Sequence, residues 1–318
     1  MNASPLSYLE AAGPAARPLT TLAWGLGGIS VAVVVIITIA LSGAIWRRRH
    51  SAPFEHLETA GRPGLGLGWI YVGLGISVPV LAACTVWILV VLGQVLHPKT
   101  SPTLTLQVAA HQWWWGIRYL GADGQPTFTT ANEIHIPVGQ PVRVELSSTD
   151  VIHSFWVPKL AGKMDVIPGV TNVTWIEASS PGRYRGQCGE YCGLQHARMA
   201  FYVIADTPTD FAAWRAHQAA SPIADLSANA AAGQTVFGAR CASCHAISGT
   251  DFGGEVGPDL SHLVTRGTLA AGLLPNSRAE LEAWIDNPQG LKPGALMPKV
   301  PLSANERAEL VSYLQTLN

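Results

Sequence analysis

Two long stretches without charge dominate the first third of the chain. No charged residue occurs from Leu22 to Trp46, and a second uncharged stretch runs from Pro63 to Leu96 with Pro79 inside it. Each is long enough to cross a hydrocarbon core of about 30 Å as a helix, and a proline is tolerated in such helices. The pattern predicts a transmembrane hairpin over 22–98, with spans at about 22–46 and 68–96. Two uncharged runs of this length exceed what buried helices of a soluble core need. Residues 1–21 form a short tail that lacks the basic start and apolar core of a secretory signal.

The period then changes. Apolar and polar residues alternate in Thr103–Val108, Glu133–Ile136 and Val142–Leu146, and further β-rich runs lie at Val173–Ile176 and Phe201–Ile204. Turn residues at 121–124, 137–139, 168–169 and 181–182 separate them. Short strands at this spacing predict a β-sandwich over 99–206. Residues 207–227 are Ala-rich and polar and read as a linker with a short helix around Asp210–Ala219. The tail, 228–318, turns helical: Ser277 with Glu280, and Ser303 with Glu306, have capping-box spacing ahead of apolar-periodic segments. The fold class expected is therefore a multidomain membrane protein with a two-helix hairpin, a β-sandwich and a small all-α domain.

Charge orients the hairpin. Arg47, Arg48, Arg49 and Arg62 lie in the 47–67 connection, which the positive-inside rule places in the cytoplasm. Both termini, and everything from 97 to 318, then face the opposite side. Composition agrees with membrane spans, since 48% of residues are hydrophobic and only 13% charged. A formal net charge of -1 gives no basic footprint for nucleic acid.

The chemistry concentrates in two places. Cys84 lies inside the second apolar run, and the other four of the 5 cysteines form two local pairs. Such pairs beside His and Met read as metal and haem sites, not as a disulfide framework. In Cys241-Ala-Ser-Cys244-His245 both thiols can form thioethers to haem vinyl groups, with His245 under the iron. Met297 is the only methionine of the tail and the natural sixth ligand; His262 competes, and its place after a Pro-Asp-Leu turn marks it as a surface residue. A redox-active cysteine pair is the alternative. The loop Gln187–Met199 packs Cys188, Cys192, His196 and Met199 together, and His153 lies upstream in a run, Val151–Trp156, that reads as a strand. These soft and borderline ligands select copper or zinc. Two thiolates bridging a pair of ions, with His153 and His196 as terminal ligands, a weak Met199 and the Glu190 carbonyl, make a dinuclear centre; a structural zinc site is the alternative.

These motifs together resemble subunit II of a bacterial haem-copper cytochrome c oxidase in the variant with a fused cytochrome c domain. The resemblance rests on the hairpin, on His153–Pro158, on Gly186–Gly193 with His196 and Met199, and on the haem motif, and it covers nearly the whole chain. It implies a cupredoxin-like domain whose dinuclear copper (CuA) is held by His153, Cys188, the Glu190 carbonyl, Cys192, His196 and Met199, and covalent haem c held by Cys241, Cys244, His245 and Met297. It implies a magnesium ion on the Glu190 side chain at the border with subunit I. His111–Tyr119 resembles the family's aromatic segment, which makes Trp113 the electron entry point; Trp114 and Trp115 read as packing. Lys163–Gly169 resembles a segment near the subunit I haems, with Asp165 as an interface group or a plain surface carboxylate.

The activity so implied is that of the electron-transfer subunit of a proton-translocating cytochrome-c oxidase, in the bacterial inner membrane with its large domains on the periplasmic face. Its partners would be subunits I and III, lipid, and cytochrome c or a quinol-oxidising complex as donor. Many relatives carry a Glu before the Trp that starts the second helix; Leu65-Gly66-Leu67-Gly68-Trp69 has no acid, so a proton-entry role is not expected. Two rivals remain at this level. One is the electron-entry subunit of a nitric oxide or nitrous oxide reductase; the other is a stand-alone membrane-anchored carrier.

Overall fold

The computed structural model describes residues 5–50, 67–222 and 226–318, with the side chains of 48–50 excepted. The side chains of Arg48 and Arg49, together with Arg62 and the Leu65-Gly66 pair, therefore lie outside what is described. The chain forms two compact units: 17–97, and a second comprising 1–16 with 98–318.

The first unit is the hairpin. Helices α1 (Ala16–His50) and α2 (Leu67–Leu96) carry 18-residue windows of mean hydropathy 2.5 and 2.4, of which 0% and 6% are buried. That exposure decides their role, because a core helix of a soluble protein would be covered. Helix α1 runs beyond its uncharged stretch at both ends, whereas α2 lies within its own, with Pro79 inside it. Ser30, Thr38 and Thr85 hydroxyls donate to carbonyls four residues back, so these polar groups are satisfied within the helix, as a bilayer requires. Trp87 lies over Gly25, where a side chain would strike its ring.

In the second unit, β1 (Leu104–His111), β2 (Trp114–Leu120), β3 (Pro126–Ala131), β4 (Glu133–Pro137), β5 (Val142–Ser148), β6 (His153–Trp156), β7 (Met164–Val166), β8 (Asn172–Ile176), β9 (Gly182–Cys188) and β10 (Ala200–Asp206) build two five-stranded sheets. Their orders are β3-β2-β1-β5-β8 and β4-β10-β9-β6-β7. In β1 alternate residues are buried, which is the period-2 signature of a strand with one face on the core. Trp115, Phe155 and Phe201 fill the space between sheets, with Phe155 and Phe201 rings stacked 4.6 Å apart. Gly186 is the one residue that fits beneath Phe201. Residues before α1 also belong to this unit: Ala12 donates to Lys159 O (2.7 Å) and accepts from Ser179 N–H (2.8 Å).

Residues 207–219, read as linker, form helix α3 (Pro208–Ala219), capped by Thr207. The helix packs on the sandwich: Phe211 is buried and Trp214 stacks on His135 at 4.1 Å. The α domain follows, with α4 (Ala228–Arg240), a two-residue β-hairpin of β11 (Thr268–Leu269) and β12 (Leu274–Pro275), α5 (Arg278–Asp286), α6 (Pro288–Leu291) and α7 (Ala304–Leu314). Ser277 caps α5, and Ser303 with Glu306 completes a capping box on α7. Helices α4 and α7 cross at Gly233, whose lack of a side chain admits the Glu309 carbonyl. Phe237, Leu310, Val311 and Leu314 form the core at that crossing.

Candidate metal and haem sites

Strand β9 ends at Cys188, and its antiparallel neighbour β6 places Phe155 opposite Cys188, which brings His153 alongside. The loop from Gly189 returns through a 3-10 turn, His196–Arg198, to β10. Backbone bonds hold it rigidly: Cys188 N–H donates to Met199 O (3.0 Å) and Gly189 N–H to Ser154 O (2.9 Å). Cys188 and Cys192 Sγ lie 3.7 Å apart. His153 Nδ1 is 3.8 Å from Cys188, and His196 Nδ1 is 3.6 Å from Cys192. Met199 Sδ stands 3.8 Å from Cys192, and the Glu190 carbonyl 3.2 Å from Cys188. Ligand atoms of His153, Cys188 and Cys192 fall within 4.8 Å of one another, all three residues buried.

Electrostatics favour cation binding here. The contact with Cys192 pulls the Cys188 thiol down to about 4, while the same contact pushes Cys192 up. Burial pushes His153 down, but Cys188 and Asp150 outweigh it and raise the imidazole. Asp150 Oδ1 accepts from His153 Nε2 at 2.7 Å, which turns Nδ1 toward the sulfurs. Two sulfurs flanked by one imidazole each, with a thioether and a carbonyl, match a soft metal far better than a hard one.

In the α domain, Cys241 is the C-terminal cap of α4. Burial pushes its thiol up to about 11. Burial likewise lowers His245, whose Nδ1 lies 2.7 Å from Pro258 O. The neutral ring donates there, leaving Nε2 free as a ligand. Gly257 lies so close that a side chain would press on the ring, 2.6 Å from Cε1. A cavity of about 260 Å³ opens beside His245, with Cys241, Cys244, Trp284 and Met297 in its walls. Arg266 also lines it, buried, with Nε lacking a partner. Its Nη2 donates to Asp259 O at 2.6 Å, and Arg240 and Lys292 also line the cavity; a mostly apolar slot with cations in its wall suits a porphyrin bearing carboxylates.

The profile of the cytochrome c oxidase subunit II periplasmic domain matches residues 120–206, and that of cytochrome c matches 230–318. Cytochrome c oxidase subunit 2 of Alkalihalophilus pseudofirmus is 35% identical over 298 residues, 91% of this chain and 83% of that protein. This chain belongs to the cytochrome c oxidase subunit 2 family. The Bacillus subtilis subunit 2 is 30% identical over 69% of this chain and 64% of its own length. The periplasmic domain of subunit II of cytochrome oxidase from Bradyrhizobium japonicum, as a crystal structure, is 31% identical over 38% of this chain and 96% of that one, with a TM-score of 0.35. Family membership makes the chain a haem- and copper-binding electron-transfer subunit of a terminal oxidase. It is a membrane protein with periplasmic domains and works with other oxidase subunits. The reductase and stand-alone-carrier readings fall away.

Against that family frame, the residues predicted for copper converge, and those predicted for haem line one cavity. Trp113 is 8% exposed and its indole N–H donates to the Cys192 carbonyl at 3.0 Å. Trp115 is fully buried, as packing requires, and Trp114 stacks on His111 at 4.1 Å. Glu190 and Asp165 carboxylates are exposed and share Lys163, at 3.7 and 2.8 Å. One expectation is corrected: His262 is not a surface residue. It is 2% exposed, with Nε2 3.3 Å from the Ala220 carbonyl, because the backbone arriving from α3 covers it.

The sequence reading missed the seam between the sandwich and the α domain. Arg198 donates to Leu291 O (2.9 Å) and Gln195 to Pro293 O (2.7 Å). Between them Lys292 Nζ donates to Trp113 O (2.8 Å) and Ala270 O (2.9 Å). Burial pushes that ammonium down to about 7. Glu133 accepts from Gly267 N–H at 3.0 Å, and Ala200 N–H donates to Ala271 O at 3.1 Å. No local motif marks these residues; each pairs with a group far away in sequence.

Proposed function

We propose that this subunit receives electrons in its α domain and passes them through Trp113 to a dinuclear copper site held by His153, Cys188, the Glu190 carbonyl, Cys192, His196 and Met199. The observation that carries the reading is the 3.7 Å separation of two buried sulfurs, each with its own imidazole. Copper and haem, when bound, supply one-electron redox centres; the chain's residues position and insulate them. Cys241 and Cys244 would attach the haem, His245 and Met297 would ligate its iron, and Arg266 would meet its carboxylates. A rigid ligand loop, tied by Cys188 N–H and Gly189 N–H, resists rearrangement when the charge of the site changes. Lining the haem cavity with Trp113 and Trp114 supports a short route between the sites.

Glu190 turns its carbonyl to the copper site and leaves its side chain exposed, which suits a magnesium ion shared with subunit I. Tyr191, 75% exposed beside it, suits the same protein contact. The arginines of 47–67 support a cytoplasmic connection under the positive-inside rule, with the N-terminus and both large domains on the outer face. Subunit III and an external cytochrome c or quinol-oxidising complex complete the set of partners.

Metal analysis and electron paramagnetic resonance of the purified complex test the copper assignment. Two coppers in this subunit and a mixed-valence signal are expected, and Cys188→Ser abolishes that signal. Zinc, a single copper, or a signal that survives the substitution refutes it.

A further inference from the structure

Lys292 is 3% exposed and makes no ion pair among the described residues. Its ammonium is held instead by two carbonyls, those of Trp113 on the sandwich and Ala270 on the α domain. A buried cation without a counter-charge is costly unless it is hydrogen-bonded. An apolar side chain would fill the place at less cost, so the amine is explained by what its donors tie together.

The ties converge on the two redox loops. Arg198 and Gln195, beside the copper-loop residues His196 and Met199, grip the carbonyls on either side of Lys292. On the other side of the seam, Gln289 accepts from Gly294 N–H (3.0 Å) and donates to Met297 O (2.8 Å), so the segment 292–297 moves as one piece. Trp113 stands between, donating its indole N–H to Cys192 O and accepting a hydrogen bond from Lys292 Nζ at its own carbonyl. One tryptophan thus donates to the copper loop and accepts from the Met297 segment.

We propose that Lys292 is a positioning residue for electron transfer, clamping the Met297 loop onto Trp113 and so fixing the gap between the haem and copper sites. The proposal rests on the ligand and route assignments made above. A clamp of this kind matters because transfer within a docked pair is intramolecular, whereas a released α domain must search for its partner surface.

The test uses the whole oxidase complex with Lys292→Met. Flash reduction of the haem reads its electron exchange with copper, and hydrogen exchange reads the Gly267 and Ala200 amides, whose acceptors lie across the seam. Transfer is expected to slow about tenfold or more, and both amides to exchange faster. The copper resonance signal and exchange at Leu310 and Val203, inside each domain, stay as in the parent. Unchanged seam amides overturn the clamp. So does slowed transfer with a lost copper signal, which would mean that the substitution acts on the copper loop and not on the seam. Faster seam exchange with unaltered transfer overturns the positioning role and locates the failure in the Trp113 route, since the clamp would then exist without serving it. If Lys292→Met does not assemble, the milder Lys292→Gln is read by the same criteria.

Discussion

The indole N–H of Trp113 donates to the backbone carbonyl of Cys192 at 3.0 Å, while Gln112 reaches the same oxygen at 2.7 Å. The aromatic segment is therefore bonded directly to the metal loop and is not merely packed near it. Both donors come from the turn between β1 and β2, and their acceptor belongs to a residue whose sulfur lies in the ligand cluster.

Trp113→Leu is expected to slow electron exchange between haem and copper by about tenfold or more while leaving the copper resonance signal in place. The ring would be lost, but the cluster of His153, Cys188, Cys192 and Met199 is held by other bonds. Flash-photolysis kinetics check this, and an unchanged rate would remove Trp113 from the route.

Met297→Ala should retain covalent haem, because Cys241 and Cys244 are untouched, yet lower its reduction potential within the roughly 0.8 V range that axial ligation spans. Met/His ligation raises the potential. Redox titration of the haem band is the measurement. A potential equal to the parent's means that another side chain is the ligand.

Docking of the α domain should weaken in acid through Glu133. Burial pushes its carboxyl up, but His135 and the Gly267 N–H outweigh that and leave it below its ordinary 4.5. The undocked carboxyl, lacking Gly267, takes up a proton first as pH falls. The Glu133 contribution is therefore fully present above about pH 4.5 and is lost as pH drops through the lower docked value. Exchange of the Gly267 amide followed against pH should show this loss, and Glu133→Gln should flatten the dependence.

Gly233→Ala should destabilise the α domain by about 1–3 kcal/mol, the usual cost of overpacking. Its new methyl would overlap the Glu309 carbonyl and crowd Tyr313 at the α4–α7 crossing. Gly253→Ala, with open space around the same position, is expected to be nearly neutral. Denaturant unfolding followed at the haem band separates the two.

The membrane helices, the strands with strict alternation and the capped helices were legible because each is a local property. The uncharged run Leu22–Trp46, the alternation in Val142–Leu146 and the Ser303–Glu306 box each need only a few neighbouring residues. The cysteine pairs were legible for the same reason, since metal and haem chemistry demands fixed short spacings. Strand β2 was less so: the run Trp113–Trp115 at its start hides the alternation, and only register against β1 separates buried Trp115 from half-exposed Trp114. His262 was misread because a turn in sequence says nothing about what later covers it.

The chain by itself thus determined which chemistry is present: soft ligands in one loop, a haem motif in another, and a pair of membrane helices. Only the tertiary structure decided how those loops meet. Lys292, Gln195 and Glu133 carry no motif, because a buried hydrogen bond between distant segments leaves no periodicity behind. Its partner is selected by the folding of two separate domains, and that pairing exists only once both have formed.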